Sequence, residues 1–218
     1  MENKNILDAL AKVRKDTKER KFKQTVDLVI NIKDIDLKKP EEKLDLFLQL
    51  PKDRIKKAKI CALVDDERLA DAKKACDTVI HKDDFAKYEK DKAALKRITN
   101  DHAFFVTQPQ LMPEVAKAFG RILGPRGKMP NPKAGCIIPP KVPMEAIVDR
   151  LRKTVRLQTK NDKAVRVAVG DEGMPDADIA VNVLAVYNVV VAKLPQHEAN
   201  IVSVLLKLTM SPPAEVQK

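Results

Sequence analysis

The sequence predicts a mixed fold in two parts: an α+β two-layer domain formed by both termini, and a Rossmann-like α/β three-layer domain inserted into it. Three patterns predict it. Strands and helices alternate through residues 57–153, a pattern that requires right-handed βαβ crossovers and a parallel sheet covered on both faces. The flanks carry strands with one apolar and one polar face, as in half-open antiparallel sheets. Neither flank has enough strands to bury a sheet face alone, because isolated hairpins are marginal. The expected domains are therefore 1–56 with 154–218, and 57–153. The two connections between them, near 50–57 and 152–155, permit hinge motion.

The elements follow in order. Asn5–Arg20 reads as a helix with Ile6, Leu10 and Val13 inward and lysines outward. Thr25–Lys33 alternates strictly, with Val26, Leu28, Ile30 and Ile32 on one side and Thr25, Asp27 and Asn31 on the other. Pro40–Leu48 reads as a short helix. Lys59–Val64 is a buried strand, Asp66–Cys76 an amphipathic helix and Thr78–His81 a weaker strand. A helix at Asp84–Ile98, a strand at Ala103–Thr107 and a helix at Pro113–Ile122 come next. Pro143–Lys153 closes the middle block as a helix, with Ile147 and Leu151 one turn apart. Val155–Thr159 and Val165–Val169 are strands joined by the polar turn at 160–163. Asp176–Leu194 is a long helix with Ile179, Val183, Val186, Tyr187 and Val190 along its core face, and Ile201–Leu208 is the last strand. The final few residues read as frayed.

Composition narrows the function. The chain has 218 residues, 42 basic and 31 acidic, for a net charge of +11 and a pI near 9.5. That balance favours nucleic acid over an anionic membrane surface. Apolar residues make up 44%, yet aromatics only 4% and tryptophan none, so aliphatic packing dominates the core. No apolar run approaches the roughly 20 residues needed to span a bilayer, and the N-terminus opens into an amphipathic pattern without a secretory core. Cys61, Cys76 and Cys136 form no CxxC pair and read as reduced thiols, while His81, His102 and His197 are scattered. A cytoplasmic protein without metal or cofactor is expected.

Between Gly124 and Pro143 the chain is too rich in glycine and proline for a regular element. From Val115 to Met144 there are six basic residues and no acid. Arg121, Arg126, Lys128 and Lys133 therefore suit either an RNA contact or a latch onto the other domain. The loop is no P-loop, since Ile122 stands where the first glycine belongs and Met129 follows Lys128. Gly124–Gly127 satisfies the GxxG of a KH module, but a parallel βαβ context is wrong for one. The acid clusters Asp65–Glu67 and Asp83–Asp84 fall at helix starts, where they suit the helix dipole. No nucleophile–base arrangement emerges, so no catalytic residue and no enzyme is expected.

The outward positions of the flank strands form a hydrogen-bonding, mostly basic set: Thr25, Asp27, Arg156, Gln158, Arg166, Ser203 and Lys207. Lys21, Phe22 and Lys23 precede the first strand, so an aromatic between two cations can stack on a base beside this face. A plain solvent-facing sheet, with Phe22 stapled beneath the first helix, explains the same pattern. Against that, residues 150–166 hold seven basic residues and one acid, Asp162.

The run GPRGKMPNPKAG at 124–135 closely resembles the signature of the family of large-subunit ribosomal protein one, most of all its archaeal branch. KFKQTV at 21–26 resembles the segment that opens that family's rRNA-binding face, and residues 201–212 resemble its C-terminal strand. The resemblance implies RNA contacts at Phe22, Thr25, Ser203, Thr209 and Met210, with Ser211 and Pro212 continuing the site. One departure stands out: the family's glycine after Thr-Met is Ser211 here, which puts a main-chain contact in question. By the same resemblance, the basic loop lies on the inserted domain and most rRNA contacts on the other. The implied function is a constituent of the large subunit that binds rRNA, forms the mobile stalk near the exit site and assists release of deacylated exit-site tRNA. Repression through its own mRNA leader or coding-start region, and a monomer off the ribosome, are also implied. The alternative is a nonribosomal RNA-binding translational repressor or RNA chaperone.

Overall fold

A computed structural model describes residues 2–18, 20–39, 42–139 and 142–217. The chain divides into two compact units, Met1–Lys56 with Lys153–Lys218, and Lys57–Arg152. Along the chain, the first unit begins with α1 (Asn3–Lys15), β1 (Thr25–Ile32) and β2 (Asp45–Gln49). The second contains β3 (Ile60–Val64), α2 (Asp66–Ala75), β4 (Thr78–His81), α3 (Phe85–Lys90), α4 (Lys92–Asp101), β5 (Phe104–Thr107), α5 (Met112–Leu123) and α6 (Met144–Lys153). The chain then completes the first unit with β6 (Thr154–Gln158), β7 (Ala164–Asp171), α7 (Asp176–Lys193), β8 (Ile201–Leu208) and β9 (Ala214–Glu215).

In the first unit a four-stranded sheet runs β7-β1-β8-β9. β1 is central and antiparallel to both β7 and β8, so a strand from the N-terminal part lies between two from the C-terminal part. Its even positions, Val26 to Ile32, are all buried, and they share one core with Ile6, Leu10 and Val13 of α1 and Ile179, Val183, Val186 and Val190 of α7. Both helices therefore bury one face of the sheet. Arg14 ties α1 to the turn before α7, donating to the Asp176 carboxylate at 2.9 Å and to the carbonyls of Glu172 and Met174.

In the second unit a three-stranded parallel sheet runs β4-β3-β5. All five residues of β3 are buried, as a central strand covered on both faces requires. After α5 the chain makes a turn at Gly127 (φ 65°), a short 3-10 turn at Pro132–Ala134 and a second left-handed position at Gly135 (φ 75°). Cys136 and Ile138 then bond to Thr107 at the end of β5. Buried Pro130, Ala134, Cys136 and Ile138 anchor the segment.

Three expectations need correction. Residues 45–49 form a strand, not a helix, because Leu44, Leu46, Leu48 and Leu50 alternate and β2 pairs antiparallel with β6; Pro40 and Glu41 lie outside the described residues. The helix expected at 84–98 is two helices, since Asp91 leaves helical geometry (φ −94°, ψ 83°) and its carboxylate accepts from the N–H groups of Ala93 and Ala94. The end of the chain is not frayed at 214–216: β9 pairs with β8, and Val216 is buried.

Candidate nucleic-acid interface

The face of the four-stranded sheet turned away from α1 and α7 is built in rows. Register places Asp27 between Ala168 and Lys207, Val29 between Arg166 and Leu205, and Asn31 between Ala164 and Ser203. The odd residues of β1 and Ser203, Leu205 and Lys207 of β8 are all partly exposed. Asn31 donates to the Ser203 hydroxyl at 2.9 Å, which leaves that hydroxyl its own proton to give. Between Asn31 and Ile32 the register slips, and the bulged Val202 is 53% exposed.

At the Thr25 end of this face several segments meet. The Thr209 hydroxyl accepts from the Thr25 N–H at 3.1 Å, so the turn after β8 is fastened to the start of β1. Gln24, fully buried, accepts from the Met210 N–H at 3.1 Å, and its own carbonyl accepts from Glu172 N–H at 2.9 Å. Phe22 and Met210, 49% and 60% exposed, stand out beside this junction with Lys21 and Lys23 exposed around them. Two large apolar side chains held in water by an otherwise polar, cationic rim are suited to stacking against nucleobases.

The electrostatics are mixed. Partial burial pushes the Asp27 carboxyl up from its usual range, against the pull of Lys207 and Arg54. Burial also pulls the Arg54 guanidinium down, opposed by Asp171 and Asp27. Arg54 belongs to a strap held by two buried side chains: Asn182 accepts from Lys52 N–H at 2.9 Å, and Asp171 accepts from Lys56 N–H at 2.8 Å. Strand parity could not reveal Arg54 or Gln24, because neither lies in a strand. Asn31 shows in the alternation of β1, but only the register gives it Ser203 as partner.

Not every expected residue reaches this face freely. Ser211 is turned inward at 8% exposure, its hydroxyl accepting from the Leu208 N–H at 2.8 Å. Its φ is not positive, so serine meets no left-handed strain there. Pro212 is exposed beside it. Arg156 lies on the two-stranded β2–β6 ribbon, not the four-stranded sheet, with a bidentate pair to Asp45 (2.7 and 2.9 Å) and its guanidinium over the Phe47 ring. Arg166 pairs with Asp162 at 2.9 Å, and both arginines border a cavity of about 200 Å³ with Gln158 and Lys160.

The basic loop is knitted to its own unit. The Lys128 ammonium donates to the carbonyls of Thr99 (2.6 Å) and His102 (2.7 Å) at the end of α4, and burial pulls its pKa down. Arg126 bonds to the Asn100 side chain, while Arg121 and Lys133 are exposed. His81 reaches Asp66 at 3.1 Å and Asp83 at 3.4 Å, with Asp65 close by. Asp65 caps α2 through the Asp66 N–H, so these acids have a helix-start role.

Comparison with known proteins agrees along the whole length. The profile of the ribosomal protein L1p/L10e family matches residues 13–212. A protein named large ribosomal subunit protein uL1 from Methanothermococcus thermolithotrophicus is 38% identical over 218 residues, covering all of both chains. Its namesake from Nanoarchaeum equitans is 41% identical over 214 residues, 96% of this chain and 98% of that one. The Thermococcus kodakarensis protein of the same name is 35% identical over 218 residues, covering 100% and 99% of the two chains.

Proposed function

The chain belongs to the ribosomal protein L1p/L10e family, and from that premise we propose that it grips large-subunit rRNA through the open face of its four-stranded sheet. Membership makes it an archaeal-type structural constituent of the large ribosomal subunit, associated with cytoplasmic ribosomes, and no enzyme. We read the first unit as an RNA-binding two-layer α+β domain and the second as an inserted Rossmann-like domain. As in the family it resembles, the protein forms the mobile stalk beside the exit site, assists departure of deacylated tRNA and represses its own messenger.

The observation that carries the rRNA reading is the junction at Thr25. The segment at 21–26 and the segment at 201–212 are far apart in sequence, yet Thr209 bonds to Thr25 and Gln24 bonds to Met210. One continuous patch results, with Phe22, Met210, Ser203 and Lys207 available to one ligand. Hydroxyls and cations on a sheet, flanked by exposed apolar side chains, serve ribose, phosphate and base together.

Binding of large-subunit rRNA to Ser203→Ala tests this. Removing that hydroxyl leaves the Asn31 amide and an RNA group unpaired, an expected loss of about 1–3 kcal/mol in affinity. Undiminished binding, with the fold intact by circular dichroism, removes the sheet face from the interface. Tighter binding to messenger fragments than to rRNA, without co-sedimentation with large subunits, points instead to a nonribosomal repressor.

A further inference from the structure

The basic loop that dominates the sequence is not absorbed by the sheet face; it leads to a second surface. In the second unit α4 and α5 pack side by side, and a groove of about 170 Å³ lies between them. Leu95, Ala118 and Ile122 form its floor, with Lys92 on one rim and Lys117 and Arg121 on the other. Lys96 follows Lys92 one turn along α4, as Arg121 follows Lys117 along α5, so each helix presents two cations about 6 Å apart along its axis. Like charges at this spacing repel one another.

Among the described residues no direct partner answers that repulsion. Lys92, Lys96, Lys117 and Arg121 have neither an ion pair nor a side-chain hydrogen bond there, although other exposed lysines of the unit do: Lys82 pairs with Glu114 and Lys87 with Asp84. Among the described residues that line the groove, Glu89 is the one acid. Of the other acids of the unit, Asp65, Asp66, Asp83 and Asp84 follow β3 and β4, Asp91 and Asp101 stand at the two ends of α4, and Glu114 of α5 is taken up by Lys82. The loop extends the cationic line. Lys128 anchors it on the last carbonyls of α4, the left-handed Gly127 turns the chain, and Arg126 is laid against Asn100 and the Lys96 carbonyl. Arg126 thus continues the row of Lys92 and Lys96, since position 100 lies one turn beyond 96.

We propose that this groove is a second nucleic-acid site, one that takes the sugar–phosphate backbone of an RNA strand without regard to sequence. Two rows of cations at a regular spacing match a polymer with a regularly repeated anion. The aliphatic floor accommodates a sugar edge and offers no aromatic platform for reading bases. The choice of RNA over another polyanion rests on the reading of the chain as an RNA binder; the groove and its rows of cations do not.

The test uses the full chain and a mixed-sequence single-stranded RNA of about 12 nucleotides. Titration followed by amide NMR is expected to shift residues of 92–100 and 117–126. In the double variant Lys117→Ala/Arg121→Ala, both positions exposed, the salt slope of binding should fall by about 1.4, at roughly 0.7 for each phosphate no longer neutralised. Lys117→Arg/Arg121→Lys should restore it. An unaltered slope, or shifts confined to 25–31 and 201–210, overturns the proposal, as does preference for a polyglutamate peptide over RNA. Large-subunit rRNA measured alongside separates the two readings: failure of the sheet face appears as unchanged affinity in Ser203→Ala, whatever the short RNA does.

Discussion

Asp27 is an acid on the surface proposed to receive a polyanion, and its neighbours explain how it is tolerated. Lys207 stands opposite it in the register, and Arg54 acts on it from the strap. Burial nevertheless outweighs both cations, so its carboxyl holds its proton to higher pH than an ordinary aspartate. A raised folded pKa means that ionisation costs stability as pH rises through it, so Asp27→Asn is expected to leave the melting temperature unchanged or higher. A marked drop on thermal unfolding would mean that the attraction to Lys207 and Arg54 dominates instead. Gln24 is the opposite case, a buried amide that joins the first strand to the Met210 turn while its Nε2 has no hydrogen-bond partner among the described residues. Gln24→Ala strands the Met210 N–H and should cost about 1–3 kcal/mol in urea unfolding, with weaker rRNA binding as the turn loosens. Alternation along β1 and β8 made Thr25, Asp27, Ser203 and Lys207 legible as outward residues. Gln24 and Arg54 escaped, because coil residues acquire their direction from tertiary contacts that no periodicity encodes.

Among the elements, β2 shows how a local signal can mislead. A proline followed by two acids resembles a helix start, yet Leu44, Leu46, Leu48 and Leu50 keep a period of two. Pairing with β6 decides the outcome, aided by the Thr159 hydroxyl, which accepts from Leu44 N–H at 3.1 Å. The break at Asp91 was also readable, since aspartate ahead of two alanines suits an N-cap. Asp91→Ala removes both cap bonds and should destabilise the protein by about 1 kcal/mol, visible as a lower urea midpoint. No change there would mean that α4 is held by packing alone. Gly135 has φ 75°, and a Cβ there would collide with the Arg150 guanidinium, which donates to the Gly135 carbonyl. The breaker-rich segment was recognisable as irregular; that its lysine caps a helix was not, because the partner carbonyls belong to residues about thirty positions earlier.

For the molecule as a whole, the pairing of both chain ends in one sheet is the organising feature. It was inferable because each flank carried too few strands to bury an apolar face unaided. The register that brings Asn31 to Ser203 was not inferable, since the slip at Val202 shifts the pairing. Stability should also report the thiols: burial pushes Cys76 and Cys136 up to about 11. The unfolded thiol ionises near pH 8.5, so their contribution is complete below that value and fades as pH rises toward 11. Urea unfolding at pH 7 and pH 10 should show the loss, and equal stability at both would mean that these thiols ionise freely in the fold. The most direct measurement of the central claim is ultraviolet cross-linking of the chain to large-subunit rRNA, with the attachment sites read by mass spectrometry. Adducts are predicted on Phe22 and Met210, within peptides spanning 20–31 and 201–213. Efficient cross-linking with none in those two peptides would contradict it.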